Sequence, residues 1–179
     1  MEYSDILTPE GKLTAQKKSR EDVHKHGDWH QSTHVWILNS RGELLIQKRS
    51  PNKPNAPNKW DSSAGGHVLA GDTPIESAQK EVEEELGIKV DKKELQYLFT
   101  IKRSSVQNEG KYLNNEFENV FLFKKDLDLK KLNFQKEEIT ELKFIPWQEL
   151  KKKIESKDPH FARHIGQYKK FFEYLKKEK

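Results

Sequence analysis

Apolar positions along the chain recur with two periods, and the periods predict the elements. Residues 30–38, rich in β-branched and aromatic side chains, read as a strand. Asn39-Ser40-Arg41-Gly42 reads as a turn and residues 43–49 as a second strand, which together predict a hairpin. Residues 95–101, 117–123 and 142–146 have the same short apolar character and predict three further strands. A helical period begins at Thr73. Thr73 can cap, Pro74 suits the first helical position, Glu76 stands where a capping-box glutamate belongs, and Gly87 marks the end. Between these markers Ile75, Ala78, Val82 and Leu86 line one apolar face. Residues 147–154 and about 160–177 predict two more helices, the last carrying Phe161, Ile165, Tyr168, Phe172 and Leu175 on a face expected to pack on the core. Strands mixed with few helices predict an α/β fold with a mixed sheet, and no linker divides residues 1–179 into more than a single domain.

Composition narrows the function classes. The chain has 179 residues, 33% hydrophobic and 35% charged, polar overall but with apolar runs sufficient for a core. It has no cysteine, which excludes disulfides, a thiol nucleophile and cysteine-bound zinc, and fits a reducing, cytoplasmic setting. No run has the length of a membrane span, and residues 1–14 lack a signal-peptide pattern, so a membrane is not an expected partner. A net charge of +4 and a pI of about 9.0 raise nucleic acid as a partner. The lysines, however, alternate with glutamates, as in Lys136-Glu137-Glu138, without interleaved aromatic residues, and nucleic acid is not expected.

The chemistry concentrates in the helix after Thr73. Glu81, Glu84 and Glu85 stand at i, i+3 and i+4 and share one helical face, while Ile75, Val82 and Leu86 turn away from it. Glutamate-rich faces are commonly just solvated surface. Here, though, Gly65-Gly66-His67 and Gly71-Asp72 form a glycine-bearing loop directly before the helix, where backbone can approach a ligand and a helix N-terminus favours anions. Clustered carboxylates suit Mg²⁺, which bridges to phosphates and activates water.

Residues 66–88 resemble the Nudix box: Gly, five residues, Glu, seven residues, then Arg-Glu-(apolar)-x-Glu-Glu-x-Gly-(apolar). Gly66 opens it, Asp72 takes the first acidic place, and Lys80, Glu81, Val82, Glu83, Glu84, Glu85, Leu86, Gly87 and Ile88 follow. Asp72 for Glu and Lys80 for Arg are the departures. The resemblance implies a Nudix α/β/α sandwich with a mixed β-sheet and a hydrolase using Mg²⁺, with Mn²⁺ as a substitute. It implies Glu84 and Glu85 as metal ligands, Glu81 as a ligand or general base, and orienting roles for Asp72 and Lys80.

A second resemblance, from about residue 5 to 150, is to the type I isopentenyl-diphosphate isomerases and their Nudix relatives. Arg20 precedes His24 by four positions, His30 begins the first strand, and His67 follows Gly66 as an isomerase metal histidine does. Glu116-Phe117-Glu118 matches the isomerase Glu-x-Glu. Arg49 to Lys53, followed by Pro57 and Trp60, matches the segment that grips the diphosphate. By this likeness His24, His30, His67, Glu116 and Glu118 form a second metal site, and Arg20, Arg49 and Lys53 hold the diphosphate. Trp36 and Trp60 read as core residues. The isomerase cysteine is missing; Gly65 takes its place, whereas the three hydrolytic glutamates that isomerases largely lose are all present. The expected activity is therefore hydrolysis of a small-molecule diphosphate, a nucleoside diphosphate derivative or another organic diphosphate, by a monomer or homodimer. Two alternatives stay open: an isomerase with a non-cysteine acid, and a catalytically silent module binding a phosphorylated ligand or RNA.

Overall fold

The structure, a computed structural model, describes residues 2–178, the side chains of Asn108 and Ile165 excepted. The chain opens with β1 (Tyr3–Leu7), β2 (Leu13–Ser19) and a short helix α1 (Arg20–His26). The predicted hairpin follows as β3 (Trp29–Leu38) and β4 (Glu43–Arg49), then two short strands, β5 (Trp60–Asp61) and β6 (Ala64–His67). Helix α2 (Pro74–Leu86) leads into β7 (Leu95–Gln107), β8 (Tyr112–Lys124) and β9 (Ile139–Pro146), and the chain closes with α3 (Trp147–Glu155) and α4 (Ile165–Lys177).

All nine strands among the described residues belong to one mixed sheet. Strand β3 is its axis. It runs parallel to β8 from Trp29↔Asn115 to Leu38↔Lys124, and its other edge is shared antiparallel by β1, β6 and β4 in turn. Side chains on a strand alternate between faces, and the burial follows. Val35, Ile37, Leu45, Phe121 and Phe123 pack with Ala78, Val82 and Leu86 of α2 on one face. Trp36, Leu44, Ile46, Val120 and Leu122 pack with Leu150, Tyr168, Phe171 and Phe172 of α3 and α4 on the other. This is the expected α/β/α sandwich, and Trp36 and Trp60 are core residues as expected.

Helix α2 starts as its sequence dictates. The Glu76 carboxylate accepts from the Thr73 N–H at 2.9 Å and the Thr73 hydroxyl at 2.8 Å. It ends at Gly87, where φ is +68° and a Cβ would stand 2.7 Å from the Asn133 carbonyl oxygen.

Two expectations need correction, and one helix was not foreseen. The last helix begins at Ile165 and not near 160, because residues 160–162 run extended beside β5. There Trp60 N–H donates to the His160 carbonyl, and Ala162 N–H to that of Trp60, each at 2.8 Å. Strands β7 and β8 are each 13 residues long, beyond their apolar runs, since backbone pairing continues through polar positions to Gln107↔Tyr112. Helix α1 has Val23 as its single buried apolar residue, too little for a helical period. Its end signals were nevertheless legible: Asp22 N–H donates to Ser19 Oγ at 3.2 Å, and Gly27 closes it with φ of +68°.

Candidate active site

The α2 carboxylates fan across the helix edge. Glu84 is exposed, Glu81 is half-buried, and Glu85 is buried, with 4% of its surface exposed. Glu85 Oε2 accepts from Gly65 N–H at 3.1 Å and from Gln47 Nε2 at 3.0 Å. Glu81 lies so close over Gly66 that a Cβ there would stand 2.1 Å from its Oε1. The loop glycines thus have a local reason: Gly66 leaves room for one carboxylate and Gly65 donates to another. Burial raises both Glu81 and Glu85 above the usual carboxylate range. Repulsion from Glu85 and Glu84 adds to this at Glu81, while Lys53, Gly65 N–H and Gln47 oppose it at Glu85. A solvated surface stripe would show neither burial nor these partners. The two residues that depart from the Nudix pattern bond to each other, Lys80 Nζ to Asp72 Oδ2 at 2.7 Å, beside the loop and helix they were expected to orient.

Glu81, Glu84 and Glu85 line a cleft of 440 Å³ that also contains Arg20, Arg49 and Lys53. Each cation has an acidic neighbour: Arg20 Nη1 lies 3.4 Å from Glu2, Arg49 Nη1 lies 3.4 Å from Asp61, and Lys53 pairs with Glu138. Arg49 Nε also donates to the Asn55 carbonyl at 3.1 Å, tying the loop after β4 to the cleft wall.

His24 from α1, His30 from β3 and His67 from the end of β6 come together, each offering a ligand atom within 4.8 Å of the others. Glu116 Oε1 lies 3.6 Å from His30 Nε2 and 3.7 Å from His67 Nε2. The Nδ1 atoms of His24 and His30 lie 3.3 and 3.0 Å from the carbonyls of Leu113 and Asp28. Those contacts favour the tautomer with Nδ1–H donating, which leaves a lone pair on each Nε2. Both Nε2 atoms are buried and without a hydrogen-bond partner. Burial, then His67 and His30, hold His24 down at about 3, and burial lowers His67 also. Burial opposes ionisation of Glu116, but His30 and His67 hold it well below the usual range. Three imidazoles beside a carboxylate make a donor set suited to a divalent transition metal.

Glu118 is not part of that group. It faces a second cluster, in which Arg103 Nη1 donates to Glu118 Oε1 at 2.8 Å and His164 Nδ1 lies 3.7 Å away. His164 Nε2 is 3.0 Å from Asp61 Oδ1, and His34 completes the set. Burial opposes charge on His164, but Asp61 and Glu118 outweigh it and raise His164 to about 9, although Arg103 Nη1, 3.0 Å from Nδ1, competes for that nitrogen. Sequence reasoning missed His34, Asp61, Arg103 and His164. For His34 a signal existed, since it alternates onto the same face of β3 as His30 and Ser32. His164, 103 positions from Asp61, had none. Tyr112, stacked on His24 with ring centroids 4.0 Å apart, was missed as well.

Comparison with known proteins gives the family and the fold. The chain is 38% identical over 180 residues to Nudix hydrolase 3 of Arabidopsis thaliana, an alignment that takes in 98% of this chain but only 23% of that protein. It is 35% identical to an uncharacterized Nudix hydrolase of Listeria monocytogenes, covering 84% of this chain and 83% of that one. The crystal structure of DR0079 from Deinococcus radiodurans superimposes with a TM-score of 0.65 at 23% identity, over 87% of this chain and 90% of that one, a likeness of fold. The NUDIX domain model matches residues 28–165, and the chain belongs to that family of hydrolases.

Proposed function

We propose that the chain is a divalent-metal-dependent hydrolase that cuts the P–O–P bridge of an organic diphosphate, Mg²⁺ being the expected ion. The observation that carries this reading is the convergence of Glu81 and Glu85 on the Gly65-Gly66 loop, within one cleft that Glu84, Arg20, Arg49 and Lys53 also line. An all-oxygen donor set whose buried members repel one another fits a hard cation. Such a cation, when bound, offsets diphosphate charge and acidifies water. The residues do the rest. Gln47 and Gly65 fix Glu85, Gly66 leaves Glu81 its position, and the guanidinium groups of Arg20 and Arg49 orient diphosphate oxygens. Water adds to one phosphorus, the bridging P–O bond breaks, and Glu81 or a neighbouring carboxylate takes the proton.

The three-histidine group with Glu116 supports kinship with the isomerase-like branch and a second, nitrogen-rich metal site. It does not carry isomerisation. A Cβ at Gly65, the isomerase cysteine position, would stand 2.6 Å from the Thr33 carbonyl oxygen, so this backbone has no room for a cysteine there. The test is phosphate release from a set of diphosphates with Mg²⁺ or Mn²⁺, comparing wild type with Glu84→Gln and Glu85→Gln. Loss of turnover in both, with thermal unfolding little changed, is expected. Wild-type turnover in both overturns the assignment, and an allylic product without phosphate release favours the isomerase.

A further inference from the structure

Helix α1 carries one residue for each of two candidate sites. Arg20, at its start, lines the cleft, and His24, one turn later, belongs to the three-histidine group. Residues four apart on a helix share a face, with about 5–6 Å between them. One side chain from β8 lies along that face. The Tyr112 ring stacks on the His24 imidazole, with centroids 4.0 Å apart and 18° between the planes. Its hydroxyl reaches back toward the helix start, where the Arg20 guanidinium and the Asn55 amide act as donors to it. Asn55 belongs to the loop after β4, so α1, β8 and that loop meet at one phenol oxygen.

The rest of this stretch of β8 fastens the helix in place. The Leu113 carbonyl lies 3.3 Å from His24 Nδ1, and Asn115 Nδ2 donates at 2.7 Å to the carbonyl of Gly27, where α1 ends. Asn114 Nδ2 donates to Glu116 Oε2, also at 2.7 Å. A single hydrogen bond at Nδ1 still lets an imidazole turn about it. A ring stacked on its face removes that freedom, and Nε2 is then held toward His30 and His67, whose ring centroids lie 5.0 and 5.1 Å from that of His24. At the helix start Arg20 also pairs with Glu2, Nη1 to Oε2 at 3.4 Å. That carboxylate offsets charge a diphosphate would use, whereas a neutral hydroxyl orients the guanidinium and leaves its charge in place. Phenylalanine at 112 could do only the first of these tasks, and an aliphatic residue neither.

Resting on the diphosphate cleft and the nitrogen-rich metal site of the reading above, we infer that Tyr112 is a positioning residue for both. Its ring orients His24 toward a transition-metal ion, and its hydroxyl orients Arg20 toward the diphosphate.

The test separates the ring from the hydroxyl. Tyr112→Phe keeps the stack and loses the hydroxyl, and Tyr112→Leu loses both. Co²⁺ is titrated into each protein, read by the visible absorption of the nitrogen-bound ion. Methylenediphosphonate, whose P–C–P bridge resists hydrolysis, is titrated calorimetrically without metal, and thermal unfolding checks that each variant is folded. Tyr112→Phe should bind Co²⁺ as wild type does and the diphosphonate about tenfold more weakly, the size of a lost hydrogen bond to a charged group. Tyr112→Leu should show the same loss for the diphosphonate and a Co²⁺ affinity roughly 10–100-fold lower, as when a group that orients a metal ligand is removed. Wild-type Co²⁺ affinity in folded Tyr112→Leu, or equal Co²⁺ losses in both variants, overturns the role of the ring. Wild-type diphosphonate affinity in Tyr112→Phe overturns that of the hydroxyl, and wild-type protein that binds neither probe overturns both. If Tyr112→Leu does not fold, Tyr112→Met, as long but without a flat face, takes its place. Neither titration needs turnover, so failure of the hydrolase reading and failure of this inference are told apart.

Discussion

Gly65 and Gly66 are adjacent, yet an alanine at each should do opposite things. At Gly65 the added Cβ meets backbone, the Thr33 carbonyl oxygen at 2.6 Å and His34 Cα at 3.4 Å. Neither can yield without moving β3, the strand that carries His30, Ser32 and His34. Overpacking of this kind costs about 1–3 kcal/mol, and in a chain of this length that lowers Tm by roughly 2–12 °C. At Gly66 the added Cβ meets the end of a flexible side chain, Glu81 Oε1 at 2.1 Å and Cδ at 2.6 Å. The carboxylate can swing away by about 1 Å to reach ordinary contact. Stability should then change by less than about 1 kcal/mol, while a displacement of that size at a reacting centre costs on the order of 100-fold in rate. Thermal denaturation and Mg²⁺-stimulated phosphate release, measured on both variants, separate the two. Gly66→Ala with wild-type turnover would refute the reasoning, because the position of Glu81 would then not matter. Gly65→Cys, restoring the isomerase residue, should be destabilised at least as much as Gly65→Ala and gain no isomerase activity.

Other predictions concern the clusters and the core. The folded pKa of His164 is raised to about 9, so its contribution is fully present below about pH 6.5 and is lost as pH rises through 9. Between those values Tm should fall by an amount reflecting on the order of 2 kcal/mol, and a His164→Gln variant should lack that slope. Wild-type protein supplied with Zn²⁺ or Co²⁺ should retain one transition-metal ion against dialysis, and His67→Ala or Glu116→Gln should lose it, as read by elemental analysis. Phe171 is fully buried and stacked on Trp36 with ring centroids 4.9 Å apart. Its replacement by alanine should cost about 3–5 kcal/mol in denaturant unfolding.

What the sequence made legible was local or periodic. Helix α2, with its cap, its apolar face and its terminating glycine, could be read within one stretch of chain, and so could the spacing that identifies the Nudix box. The β3–β4 hairpin was visible for the same reason, although β3 and β4 pair only at Ile37↔Leu45 and Leu38↔Leu44, while β9 lines the other edge of β4 from Glu43 to Arg49. The strands and helix of residues 2–29 were not legible from hydrophobic periodicity. The burial of β1 and α1 rests on contacts with β8 and β3, far along the chain, and β2 is an exposed edge strand with a nearly all-polar sequence.

The pair Glu116 and Glu118 shows where reading by spacing stops. Two residues apart on a strand, they do point to one side, as alternation requires. That common side nevertheless spans two environments, because each step of two residues moves about 6.6 Å along β8. In the parallel register Glu116 lies opposite His30, and Glu118 lies opposite Ser32, two residues nearer His34. Glu116 therefore meets His30 and His67, while Glu118 meets Arg103 and His164, whose places are set by β7 and by the turn before α4. A shared face does not imply a shared ligand. Strand β3 repeats the division with His30 at one cluster and His34 at the other, and the α2 carboxylates lie across β6 between them. The division of these groups into two clusters follows from strand register and from the covering helix. Neither is written in the spacing of any one motif.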